Sequence, residues 1–239
     1  MSRVKSILRM KAHRPFPMPQ RPWKYYQEWH DVLFAHWRVP LEVLRELIPQ
    51  GLDIDLYEGQ AWVSLVAFEV RKLRPHFFPP FPPISDFVEI NMRTYVRRNQ
   101  KPGIYFFSLE AQNRVSALLG KYGVGLPYMK SIITHPEGIY DSFNAKRGFH
   151  LKVKYTPGES IPHKSELDKW LTERYCLFKE SHGSIAGNDV HHFEWPLQSV
   201  EVNQLKLHYQ YKNLVIENKA ELYHYSKGVY VPTWGQEML

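Results

Sequence analysis

The chain has 239 residues, 44% of them apolar and 23% charged, with one cysteine and a formal net charge of +7. That composition suits one globular domain with a sizeable core; a lone cysteine excludes an intramolecular disulfide and places the chain in a reducing cytoplasm. No apolar run approaches the roughly 20 residues of a membrane helix, so no membrane contact is expected, and Ile7-Leu8 is too short for the core of a secretory signal.

The charge is unevenly placed. Arg3, Lys5, Arg9, Lys11, Arg14, Arg21 and Lys24 account for the whole excess, with no acid among the first 24 residues. Pro15, Pro17, Pro19 and Pro22 interrupt this stretch, so residues 1–24 read as an extended or disordered arm that the fold does not need. The arm is a solubilising tail or a surface strap, or it adheres weakly to polyanions; nucleic-acid binding by the balanced body, residues 25–239, is not expected.

Asp31 to Arg38 reads as a strand. A short helix follows from Pro40, with Leu41, Leu44, Leu47 and Ile48 on one stripe, and Pro49 and Gly51 stop it. Ile54–Tyr57 and Ala61–Lys72 suggest a hairpin turning near Glu58-Gly59. Residues 75–83, five of them proline, form a stiff phenylalanine-bearing loop, either packed on the sheet or lidding a pocket. Phe87–Arg97 is the next strand, followed by the turn Lys101-Pro102-Gly103, a strand over Ile104–Ala111 and a short helix over Arg114–Tyr122. Strands then continue at 131–134, 139–144 and 148–155. Ser165, with Asp168 three residues on, caps a helix through Trp170 and Leu171. Arg174–Lys179, Ile185–Phe193, Val200–Val202, Leu205–Leu214 and Ala220–Tyr225 complete an α+β, mainly antiparallel set, expected to roll into a barrel-like pocket with a few packed helices.

The Phe87–Arg97 strand carries the strongest functional signal. Side chains alternate, so Val88, Ile90, Met92, Thr94 and Val96 share a core face while Glu89, Asn91, Arg93, Tyr95 and Arg97 share a polar one. That second face is either an ordinary solvated surface or a line of oriented hydrogen-bonding groups for a small polar ligand. Glu89 and Arg93 lie about 13 Å apart at their Cα atoms, a spacing that addresses two ends of one molecule.

Other signatures are missing. There is no phosphate-cradling glycine loop and no nucleophile elbow. His191 and His192 point to opposite faces of a strand, so no metal site is assigned. Cys176, within Tyr175-Cys176-Leu177-Phe178, reads as a buried, inert thiol.

The blocks Trp29-His30-Asp31, Phe34 to Pro40, Ala61-Trp62-Val63, Glu89 to Val96, Tyr105 to Glu110, Leu126-Pro127-Tyr128 and Leu171 to Tyr175 resemble the bacterial YqjF-like family of unknown function, over about Trp29 to Leu214. That family is similar in fold to acetoacetate decarboxylase, which implies an antiparallel sheet curled around an internal pocket. Acetoacetate decarboxylase carries two consecutive lysines after a Gly-aromatic-Pro turn, and its reacting lysine is activated by a neighbouring cation. Here Tyr128 and Met129 follow Pro127 and Lys130 comes a place later, where a strand turns it to the opposite face. A Schiff-base decarboxylation is therefore not expected.

These observations assign a pocket for a small organic acid or carbonyl compound and no cofactor. Glu89 and Glu110 are the candidate catalytic carboxylates; Arg93, Asn91, Tyr128, His36, Arg38 and Lys130 are the candidate ligand-binding residues. Two alternatives stay open: a lyase or hydratase-like enzyme that uses a pocket carboxylate, and a non-catalytic sensor or carrier. A homo-oligomer is compatible with either.

Overall fold

A computed structural model describes residues 3–112, 126 and 128–239. In chain order its elements are α1 (Arg3–Arg9), β1 (Tyr25–Val39), α2 (Leu41–Arg45), β2 (Asp53–Ile54), β3 (Ala61–Pro75), α3 (Pro82–Ser85), β4 (Phe87–Arg98), β5 (Lys101–Ala111), β6 (Tyr128–Lys130), β7 (Ile132–Thr134), β8 (Ile139–Asn144), β9 (Phe149–Ser160), α4 (Glu166–Thr172), β10 (Cys176–Ser181), β11 (Ser184–Asp189), β12 (Leu197–Tyr211), β13 (Leu214–Ile216), β14 (Leu222–Thr233) and β15 (Glu237–Met238). The helix expected over residues 114–122 lies outside the described residues.

One mixed sheet dominates, in the order β15-β11-β10-β5-β4-β3-β1-β14-β12-β9-β8-β7. Its pairings are antiparallel except where β10 and β6 join β5 in parallel. The sheet curls without closing, as β7 and β15 remain at opposite ends of the order. Both faces of its centre are covered, which is why strands such as β3 read as nearly continuous apolar runs. On one face Leu33, Ala35, Leu65, Ala67, Ile90 and Met92 pack with Leu151, Val153, Leu207 and Tyr209 from β9 and β12. On the other, Phe34, Val66, Phe68 and Phe87 meet Trp195, Leu197 and Val231.

A bulge in β1 decides which of its side chains reach this second face. Asp31 has a positive φ of 52°, and the pairing with β3 slips between His30 and Leu33. The extra residue resets the alternation, so Trp29, Val32 and Phe34 all face the same way. Opposite the bulge Gly228 comes so close that a Cβ there would lie 2.0 Å from the Trp29 carbonyl oxygen.

Several expectations need correction. The basic arm is a packed element: Ile7 is fully buried and its carbonyl accepts from His191 Nε2 at 3.0 Å. Arg14 is buried, donates to the Val190 carbonyl at 2.6 Å and lies 3.5 Å from Asp189. Short-range periodicity could not show this, because these partners in the body, Val190 and His191, are more than 170 residues away. The first strand begins at Tyr25 rather than Asp31. The turn expected at Glu58-Gly59 is present, both residues at positive φ, but it closes only a Tyr57–Gln60 bridge, and β2 pairs with β4 rather than with β3. The turn into β5 is made by Asn99 and Gln100, both at positive φ, so Lys101-Pro102-Gly103 already belongs to the strand. The loop 75–83 gives way to α3 at Pro82. The cap of α4 follows the sequence signal: Ser165 and Asp168 form a reciprocal capping box. Among the described residues, no helix is long and apolar enough to cross a membrane.

Candidate functional site

The second face of the sheet encloses a cavity of about 1160 Å³. Phe87, Glu89, Asn91 and Arg93, alternate residues of β4, all line it, so the polar stripe is a cavity wall. Glu89 is 5% exposed. Its Oε2 accepts from the Tyr128 hydroxyl at 2.6 Å and its Oε1 from Asn91 Nδ2 at 3.0 Å. Burial raises its pKa to about 7, opposed by those two hydrogen bonds and by the positive charge of Arg93. A carboxyl group balanced between its two protonation states near neutral pH is suited to proton transfer.

Arg174, between α4 and β10, brings a second guanidinium to the wall. Its Nη1 donates to Asp55 Oδ2 at 2.6 Å and its Nε to the Trp170 carbonyl at 2.6 Å. Asp55 is itself buried and also pairs with Arg97, so one carboxylate serves two arginines. Burial lowers the pKa of both Arg93 and Arg174, and the Arg93 charge lowers that of Arg174 further.

The polar atoms of this wall are not all satisfied. Arg93 Nε and Nη2, Arg174 Nη2 and the amide oxygens of Asn91 and Asn188 are buried without a hydrogen-bond partner. Nε and Nη2 are the adjacent edge of the guanidinium that grips a carboxylate with two parallel hydrogen bonds. Leaving such donors buried and unpaired costs about 1–3 kcal/mol each, more for a charged group.

The remaining walls are apolar and aromatic. Trp29 stacks on Trp195 with centroids 5.9 Å apart, and Trp195 meets Phe34 edge-on at 5.1 Å. At the mouth Trp23, His76 and Phe77 stack in a column, with centroid separations of 3.6 and 4.4 Å. Phe77 is 89% exposed, so the phenylalanine-bearing loop forms the rim.

The chain matches the DUF2071 family, described as an uncharacterized conserved protein, over residues 26–230. It is 35% identical over 225 residues to the uncharacterized protein YqjF of Bacillus subtilis (strain 168), an alignment covering 91% of this chain and 93% of YqjF. The chain belongs to the DUF2071 family. Solved structures share its fold at low identity. MppR, an enduracididine biosynthesis enzyme seen in complex with pyruvate, superposes with a TM-score of 0.63 at 11% identity, covering 94% of this chain and 93% of MppR. Acetoacetate decarboxylase from Legionella pneumophila gives 0.58 at 12% identity, covering 99% and 94%. The fold of this DUF2071 member is therefore that of the acetoacetate decarboxylase-like enzymes.

Of the residues singled out from the sequence, Glu89, Asn91, Arg93 and Tyr128 meet at the cavity, and four others lie elsewhere. Glu110 pairs with Ile90, and cross-strand partners share a face, so it enters the opposite core. There it is fully buried and accepts from Ser131 and, at 2.5 Å, from Tyr209. His36 lies beyond the closed end of the cavity, hydrogen-bonded to Ser64 at 2.6 Å and to His224 at 3.2 Å. Arg38, two residues on, reaches solvent and pairs with Glu221 at 2.5 Å. Lys130 ends a three-residue strand and is exposed outside the cavity. Among the described lining residues the one lysine is Lys24, exposed at the rim.

Sequence reasoning missed Arg174, Asp55 and Asn188. Arg174 stands in the block Leu171–Tyr175, where a lone arginine flanked by aromatic residues is the available signal. His191 and His192 also contribute differently from a metal pair. Burial lowers their pKa values to about 4 and about 3, and their rings hold the arm and line the cavity, respectively.

Proposed function

We propose that the cavity binds an organic acid by its carboxylate and that Glu89 exchanges a proton with the bound molecule. One observation carries the reading: Arg93 lines the cavity, stays partly accessible and makes no ion pair among the described residues, while its Nε and Nη2 have no hydrogen-bond partner. The carboxylate docks on the Arg93 guanidinium, within the field of the Arg174 charge, and the rest of the acid lies toward Glu89 and Tyr128. Glu89, with its pKa near 7, gives or takes the proton, while Tyr128 and Asn91 fix its orientation. Support also comes from MppR, whose similar fold holds pyruvate, itself a carboxylate.

Binding of 2-oxobutanoate and 2-oxo-4-phenylbutanoate, beside their neutral amides, tests the site by thermal shift and calorimetry. The acids bind, the amides do not, and Arg93→Met loses the difference. Undiminished acid binding by that variant overturns the assignment. Exchange of the protons on carbon 3 with deuterated solvent, followed by NMR in wild type and Glu89→Gln, tests the chemistry. An acid that binds but does not exchange leaves the cavity as a sensor or carrier site.

A further inference from the structure

The cavity is far larger than the acid that its polar wall needs. A three-carbon keto acid has six non-hydrogen atoms; at about 30 Å³ for each water-sized atom, it fills roughly 180 Å³ of the 1160 Å³ enclosed. The wall between its ends is largely apolar: Arg93 stands toward one end, Glu89 and Asn91 lie along β4 between it and Phe87, and Arg21, Lys24 and Arg74 stand at the mouth. Arg93 stands opposite Ser64 on β3, whereas Phe87 stands opposite Val70, toward the mouth formed by Leu73 to Phe78. Six residues of strand separate Arg93 from Phe87, about 20 Å at 3.3 Å per residue. Trp29, Phe68, Phe87 and Trp195 line that passage. It is a long, ring-walled channel with Arg93 at its inner end and further cations at its mouth.

We infer that the ligand is a carboxylic acid with an extended apolar, ring-bearing tail, its carboxylate at Arg93 and its tail running through the aromatic channel toward the Phe77 rim. The inference rests on the carboxylate assignment above and adds the class of acid. Planar rings suit the channel because Trp29 and Trp195 are within 11° of parallel, and aromatic faces prefer offset or edge contacts with a further ring. A short acid satisfies Arg93 but leaves most of the channel to water against apolar walls. A long one removes that water, and burying a phenyl group tightens binding by about tenfold or more.

Calorimetry with butanoate, 3-phenylpropanoate, 5-phenylpentanoate and the neutral 5-phenylpentan-1-ol decides the matter. Affinity rises at least tenfold from butanoate to 5-phenylpentanoate, and the alcohol binds more weakly than the acid of equal length. Leu73→Trp, which narrows the channel near its mouth, weakens 5-phenylpentanoate at least tenfold more than it weakens butanoate. Equal affinities along the acid series overturn the inference and leave the carboxylate site standing. Failure of every acid, or equal binding of acid and alcohol, overturns the carboxylate site itself. Should the Leu73 variant not fold, the acid series on the wild type decides alone.

Discussion

Replacing Glu89 with Gln keeps the shape of the side chain and an acceptor for Tyr128, but removes a proton that titrates. The folded pKa of about 7 stands above the ordinary 4.5, so the folded chain holds the proton over a range of pH in which the unfolded chain has released it. The stabilising contribution is complete below about pH 4.5 and is lost as pH rises through 7. The gap between 4.5 and about 7 amounts to about 3 kcal/mol at 1.36 kcal/mol per pH unit. With Glu89 only 5% exposed, solvent screening removes little of this. At about 2–4 °C per kcal/mol for a chain of this size, Glu89→Gln gains roughly 6–12 °C in Tm relative to wild type between pH 5 and pH 8.5. Paired melts of the two proteins without ligand, recorded across that range, measure the gap. A Tm difference that stays constant from pH 5 to pH 8.5 refutes both the raised pKa and the acid-base role built on it.

Two further outcomes follow from the packing. Ile7→Ala empties a fully buried site between the arm and the body, and should cost about 2–4 kcal/mol, read as a fall in denaturant midpoint; an unchanged midpoint would return the arm to the status of a loose tail. Asp55→Ala strips Arg97 and the buried Arg174 of their shared carboxylate, which should cost about 3–5 kcal/mol. A loss of under 1 kcal/mol in urea melts would mean that Arg174 is not held by Asp55.

The alternation of β4 was enough to separate Glu89, Asn91 and Arg93 from the core-facing residues, because a period of two survives in any strand whose faces differ chemically. It could not tell a wet surface from a cavity wall, since that depends on what covers the face. The covering comes from α4, β10, residues 190–195 and the arm, all distant in sequence. The cap of α4 was legible for the opposite reason: its hydrogen bonds lie within four residues. His36 and Arg38 share one face of β1 by parity. Parity gives the face and not the position along it, and both residues lie outside the cavity lining. Asp31 hid Trp29 from the same reasoning, because a bulge resets parity without a distinctive residue type to announce it.

The charges of the empty cavity also bear on how it handles a proton when filled. Arg93 lowers the pKa of Glu89, while burial raises it more strongly. An anionic carboxylate docked on Arg93 cancels that favourable charge and adds a like charge near Glu89, and both effects push the Glu89 pKa upward. Near pH 7, where Glu89 is about half protonated, binding an acid that is already ionised therefore draws protons from solution, up to roughly half a proton per site. At pH 6 Glu89 is already about nine-tenths protonated while an alkanoic acid is still ionised, and uptake falls to about a tenth of a proton. The loaded site thus holds Glu89 as an acid with a proton to donate, oriented by the Tyr128 hydroxyl that donates to its Oε2. Calorimetric titration of 5-phenylpentanoate in buffers of different ionisation enthalpy reads the proton count directly. Uptake at pH 7 that falls several-fold at pH 6 and is absent in Glu89→Gln supports the coupling; proton release at pH 7, or uptake that persists in the Gln variant, places the titrating group elsewhere.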